Sequence, residues 1–224
     1  MTTVPTEREP SEREPTEREP SEEVEIRTAA AERLTFFGDA VIAIALTLLA
    51  LELPVPEGST NSALLHSAAD HRAGYMAFLI SFVVIAAHWR AHHRVFRHVA
   101  AVSGRLTNLT VYWLLLLVVT PFATDVIGGD GAFQVRFGFY ATVQFSACAL
   151  FLLMVREIRR ADLSRAGTAP EVFSRATRGV GAAAVAFLVS VPVSFLTTYA
   201  YLCWILIPVL GPLALTRPRR HGRS

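Results

Sequence analysis

The chain has 224 residues, of which 52% are hydrophobic, a mean hydropathy of +0.40 and a formal net charge of +2. This is too apolar for an ordinary soluble domain, and the apolar residues fall in long blocks, which points to a membrane protein. The small net charge hides an asymmetry: residues 1–27 hold nine Glu against four Arg, a balance of −5 that leaves +7 on the remainder. Every basic residue apart from His is Arg, a compositional bias with no chemistry implied.

Residues 1–29 read as a disordered acidic tail. Thr6–Pro10, Ser11–Pro15 and Thr16–Pro20 repeat the pentapeptide Thr/Ser-Glu-Arg-Glu-Pro. A Pro at every fifth position blocks a continuous helix, and the repeat has no apolar residue to bury. This acidic start lacks the basic and apolar regions of a signal peptide, so insertion is expected to begin at the first internal apolar segment.

An apolar body spans residues 30–216, followed by a basic tail at 217–224. It contains six apolar segments, at approximately 33–53, 73–96, 106–127, 132–155, 178–196 and 198–215, most of them near the roughly 20 residues a spanning helix needs. The predicted fold class is therefore an all-α membrane protein with six transmembrane helices. The last two segments are interrupted by Pro192, Pro208, Gly211 and Pro212. Gly128-Gly129-Asp130-Gly131 suits a tight turn between the third and fourth helices. Cys148 and Cys203 lie inside apolar segments with no spacing motif and read as small core residues.

Charge placement predicts the orientation. Arg94, Arg97 and Arg105 follow the second segment, Arg156, Arg159, Arg160, Arg165, Arg175 and Arg178 the fourth, and Arg217, Arg219, Arg220 and Arg223 the last. The alternate connections carry only Arg72 and Arg136. The positive-inside rule then predicts that both termini are cytoplasmic.

The first segment carries the chemistry. At about 100° per residue, Leu48 lies about 40° and Leu51 about 20° either side of Ile44, while Asp39 lies about 140° away. One face is thus an aliphatic stripe, flanked by Thr47, and another buries a carboxylate. By periodicity alone the stripe fits lipid or core contact. A charge inside a bilayer costs on the order of 2.5–3.5 kcal/mol on insertion scales, so Asp39 needs protein partners. The second helix offers them in His88-Trp89-Arg90-Ala91-His92-His93-Arg94, at a compatible depth. A carboxylate, a guanidinium, an indole N–H and an imidazole can close a hydrogen-bonded network. Arg94, Arg97 and His98 are expected to snorkel to headgroups instead. His88-x-x-x-His92-His93 also has metal-ligand spacing, but one such box is too few ligands for a di-iron site, and neither metal nor cofactor is expected. No phosphate loop, catalytic triad or pair of catalytic carboxylates is present, so no enzyme is predicted. The potassium-channel filter sequence Thr-Val-Gly-Tyr-Gly is also missing.

Arg33-x-x-x-Phe37-Gly38-Asp39, opening an Ile/Ala/Thr/Leu-rich helix, resembles the Arg-x-x-x-Phe-Ser-Asp signature of the transmembrane protein 175 family, which comprises lysosomal potassium channels and prokaryotic homologues. The likeness continues through Ser81-Phe82, Trp89-x-x-x-His93, Asn108 and Pro121-Phe122. Gly38 departs from it, replacing the signature Ser and removing a hydroxyl.

The resemblance implies a single-repeat bacterial subunit of a homotetrameric, potassium-permeable channel in the cell membrane. Potassium ions and membrane lipid would be its partners, with no nucleic acid. The first helices would line the pore, with Ile44 the narrowest ring, Leu48 and Leu51 further layers and Thr47 tied to selectivity. Arg33, Phe37, Asp39, Trp89 and His93 would form the assembly network. The alternative from another class is a non-conducting scaffold or regulator that recruits partners through the acidic repeat.

Overall fold

The protein was analysed as a computed structural model that describes residues 20–204, with side chains from Val24 onward. The pentapeptide repeat up to residue 19, most of the sixth apolar segment and the basic tail lie outside the described residues.

The first helix, α1 (Pro20–Leu51), starts at the last proline of the repeat, well before residue 30. Proline is tolerated in a first helical turn, where its missing N–H loses nothing, and none follows until Pro54. Residues 20–29, read above as tail, are thus helical. Pro54 pushes the residue before it away from the helical region and ends the element.

The connection onward contains a short helix that segmentation by hydropathy does not predict, α2 (Asn61–Asp70). The Thr60 hydroxyl accepts from the Ala63 N–H at 3.2 Å to cap it, and the helix buries none of its residues. Then come α3 (Arg72–Phe96), α4 (Gly104–Gly128), α5 (Phe133–Arg160) and α6 (Pro170–Ser194). A 3₁₀ turn, Thr198–Tyr201, occupies the start of the predicted sixth span.

Both α5 and α6 extend further than the apolar runs that predict them. Nothing interrupts α5 until Asp162, which takes φ 48°, and Pro170 opens α6 in the manner of a first-turn proline. Pro121 and Pro192 sit inside helices. In a membrane helix, neighbouring Ser and Thr hydroxyls re-satisfy backbone groups. Beside Pro121 the Thr120 and Thr124 hydroxyls donate to the carbonyls of Leu116 and Thr120, whereas the carbonyl that loses its N–H partner to Pro121 is that of Leu117.

Five helices, α1 and α3 to α6, are long and apolar enough to cross a bilayer. A 25-residue helix is about 38 Å long against a hydrocarbon core of roughly 30 Å. The chain is a multi-pass membrane protein. The helices α4, α5 and α6 pack most extensively, and α1 lies against α3 and α4. Leu106, Trp113, Leu117, Phe137, Tyr140 and Phe151 fill the interior. Trp204 folds back onto it, stacking on Phe137 at 4.8 Å and donating its indole N–H to Ser190 at 2.8 Å.

The two ends differ in charge. At the arginine-rich end the α3–α4 and α5–α6 connections pair through a bridge between Val99 and Ser164, and Arg165 reaches Glu32 of α1 at 3.6 Å. The opposite end has a cavity of about 280 Å³ whose lining includes Glu52, Asp70, Asp125 and Asp130. Arg136, on that arginine-poor side, is committed to backbone: its guanidinium donates to the carbonyls of Ile127 (3.0 Å) and Gly131 (3.2 Å), and to that of Gly129. It thereby ties together the α4–α5 turn, in which Gly131 adopts φ 98°.

Candidate functional site

The two faces of α1 separate cleanly within the protomer. Ile42, Ala45 and Leu49 are each 1% exposed and pack inward. Ile44, Leu48 and Leu51 are 58%, 41% and 81% exposed and point away from the protomer's own core. Thr47, also exposed, returns its hydroxyl to the Ile44 carbonyl at 2.8 Å.

Arg33 and Phe37 belong with this outward stripe. Both are exposed, and at 100° per residue both lie within about 20° of the Ile44 line. Among the described residues Arg33 enters no ion pair. Within the single chain, Arg33 and Phe37 do not share a face of α1 with Asp39. The physical reason is helical phase: Asp39 lies about 120° from Arg33 around the same helix.

Asp39 faces α3. Its Oδ1 accepts the Trp89 indole N–H at 3.1 Å, and Trp89 in turn lies over His93 with ring centroids 5.7 Å apart. These three side chains come together on a half-open flank of the chain, with Trp89 40% exposed.

Two histidines of the second-helix cluster are core residues. His88 and His92 point into the core together with Ser81 and Ile85. Their i, i+4, i+7, i+11 spacing marks one face of α3, a signal that the sequence does carry. The Trp113 indole N–H donates to His88 Nδ1 at 3.4 Å. His92 is stacked between Phe96 (4.0 Å) and Trp113 (5.0 Å), and among the described residues neither of its ring nitrogens has a hydrogen-bond partner. Gly38 lies directly beside this ring: a Cβ built there would sit 3.2 Å from His92 Cε1 and 3.5 Å from Nε2. The glycine that departs from the family signature therefore sits where α1 closely approaches a side chain of α3. Among the described residues no three His, Cys, Asp or Glu converge as a metal site.

A second polar group joins α3, α4 and α5. The Thr124 and Ser81 hydroxyls lie 2.7 Å apart, Ser81 and Tyr140 share a bond of 3.0 Å, and Gln144 donates to Thr120 at 3.2 Å. Interhelical bonds of this kind average about 0.6 kcal/mol in membrane proteins, so they position helices more than they stabilise the fold.

Residues 33–121 match the family model described as endosomal/lysosomal potassium channel TMEM175. The match covers about two fifths of the chain, and it is over this segment that the chain is similar to the TMEM175 family. The family is named for a channel and not for an enzyme. A potassium channel of Streptomyces collinus is 32% identical over 123 residues, 53% of this chain and 60% of that protein. A potassium channel of Chamaesiphon minutus is 41% identical over 101 residues, 42% of this chain and 48% of that one. One from a Chryseobacterium species is 35% identical over 96 residues, again 48% of its length. The chain thus spans about half the length of the curated relatives it matches. Its fold is similar to the crystal structure of a lysosomal potassium-selective channel TMEM175 homolog from Chamaesiphon minutus, with a TM-score of 0.68 and 24% identity. That likeness covers 84% of this chain and 100% of the other.

Proposed function

We propose that this chain is a member of the TMEM175 family and the subunit of a homotetrameric, potassium-permeable cation channel of the cell membrane, with both termini cytoplasmic and α1 lining the pore. One observation carries the reading: the aliphatic stripe Ile44, Leu48, Leu51 is exposed on the protomer while the opposite face of the same helix is buried. Four such stripes around an axis make stacked hydrophobic rings, with Ile44 narrowest and Thr47 supplying the one hydroxyl beside them. Rings of this kind close a pore by dewetting and need no re-entrant filter. Arg33 and Phe37, in line with the stripe, then stand at the arginine-rich mouth. Asp39, Trp89 and His93 lie to the side and hold α1 against α3. The relatives' names as potassium channels support potassium as the permeant ion.

Lipid contact would also accept an aliphatic stripe, and flux measurements separate the two. In proteoliposomes, Ile44→Asn is expected to raise potassium flux by keeping the constriction wet, and Ile44→Cys to become sensitive to thiol reagents. Unchanged flux in the first and no block of the second would remove Ile44 from the pore. Deleting residues 1–27 should leave flux intact, whereas a scaffold acting through the acidic repeat would lose its function.

A further inference from the structure

The last turns of α5 and the facing turn of α6 border an open cavity of about 360 Å³, lined by Leu152, Val155, Arg156, Arg159, Arg160 and Thr177. The α5 residues fall at i, i+3, i+4, i+7 and i+8, so they form one face of the helix. Along that face the lining changes within two turns from aliphatic to three guanidinium groups. This gradient matches the boundary between acyl chains and headgroups, because α5 crosses the bilayer and ends at its arginine-rich surface.

The three arginines are exposed, and among the described residues none enters an ion pair or a side-chain hydrogen bond. The acid in their midst is committed elsewhere: Glu157 pairs with Arg105 at 3.5 Å and accepts from Ser103 at 3.4 Å. Three like charges therefore converge on one concave site with no counter-charge. Guanidinium forks fit phosphate oxygens in bidentate fashion, and the cavity is bounded by an aliphatic floor and a threonine on the other helix. Basic pockets between membrane helices bind anionic headgroups on this chemistry.

We propose that the α5–α6 cavity is a binding site for an anionic glycerophospholipid. Arg156, Arg159 and Arg160 take the phosphate, Thr177 borders the headgroup, and Leu152 and Val155 face the start of an acyl chain. The site stands apart from α1 and its stripe, so it is independent of the conduction reading.

The test is titration of delipidated protein in detergent with phosphatidylglycerol, read by native mass spectrometry, with phosphatidylcholine and glycerol 3-phosphate as parallel probes. Wild type is expected to bind phosphatidylglycerol selectively. The triple variant Arg156→Gln, Arg159→Gln, Arg160→Gln should bind it roughly 100-fold more weakly, at about 1 kcal/mol for each charge. The double variant Arg94→Gln, Arg97→Gln, at the same end of the protein, should bind as wild type. If the triple variant does not fold, Arg159→Gln alone is expected to weaken binding about 5-fold. Wild-type affinity in the cavity variants overturns the proposal, as does equal loss in the Arg94/Arg97 control, which would mean diffuse surface charge. Binding of glycerol 3-phosphate as tightly as the lipid would also overturn it, because the site would then recognise a free phosphate ester.

Discussion

Replacing Gly38 by Ser should stabilise the protein, and the comparison with Ala isolates the reason. At this position α1 meets the edge of the His92 ring, whose two nitrogens have no hydrogen-bond partner among the described residues. A Cβ would lie 3.5 Å from Nε2, so a hydroxyl one bond further on reaches hydrogen-bonding distance. Interhelical side-chain bonds in membrane proteins are worth about 0.6 kcal/mol on average and about 1.7 at most. Removing a glycine from a helix interior adds up to about 1 kcal/mol for Ala and somewhat less for Ser. Against this, the 3.2 Å approach to Cε1 is tight, and Phe96 and Trp113 hold the ring so that it yields little. The tight contact affects both substitutions, so it offsets most of the gain for Ala, while Ser keeps its hydrogen bond. The expected result is Ser about 1 kcal/mol above wild type and Ala within about 0.5 kcal/mol of it. In thermal unfolding of purified protein, 1 kcal/mol corresponds to a shift of about 2–4 °C for a chain of this size. Equal or greater stabilisation by Ala would refute the argument, because the hydroxyl would then contribute nothing.

Other substitutions probe the remaining features. His92→Ala should destabilise the protein by about 2–4 kcal/mol through the cavity it leaves between Phe96 and Trp113, whereas His92→Phe, which removes the unpaired nitrogens, should lose less than about half of that in the same melts. Arg136→Gln should lower stability by about 1–3 kcal/mol, since the carbonyls of Ile127 and Gly131 lose a charged donor, and hydrogen exchange should rise first in the α4–α5 turn. A double-mutant cycle on Asp39→Ala and Trp89→Phe should return a coupling of about 0.5–1.5 kcal/mol, and additive effects would mean that the 3.1 Å bond contributes nothing. Under the pore reading, Arg33→Gln should raise potassium flux at low ionic strength by removing positive charge from the mouth, with the difference fading in about 1 M salt.

Much of this protein can be read from residue order. Apolar blocks of membrane-spanning length and their alternating arginine content follow from what a bilayer tolerates, and five of the helices lie where those blocks predict them. The split of α1 into two faces also follows, because 3.6 residues per turn sets which side chains share a side. That Ile44, Leu48 and Leu51 turn outward, however, is decided only when α3 and α4 cover the face opposite them. Helical phase likewise carried the information that Arg33 and Phe37 run with the stripe, although the motif suggested a network with Asp39.

What required tertiary structure was the fate of each polar group. His88 and His92 could serve a network, a metal or the headgroups from sequence alone; their burial against Trp113 and Phe96 depends on α4 lying alongside α3. Gly38 reads as a lost hydroxyl until the neighbouring helix supplies the ring that fills the space. The arginines after the fourth segment set an orientation as a simple count, yet only the packing of α5 on α6 gathers three of them around one cavity. Local propensity and hydropathy are properties of a segment and survive in one dimension. Partner choice, burial and concavity belong to pairs of helices distant in sequence, so they exist only once the helices are assembled.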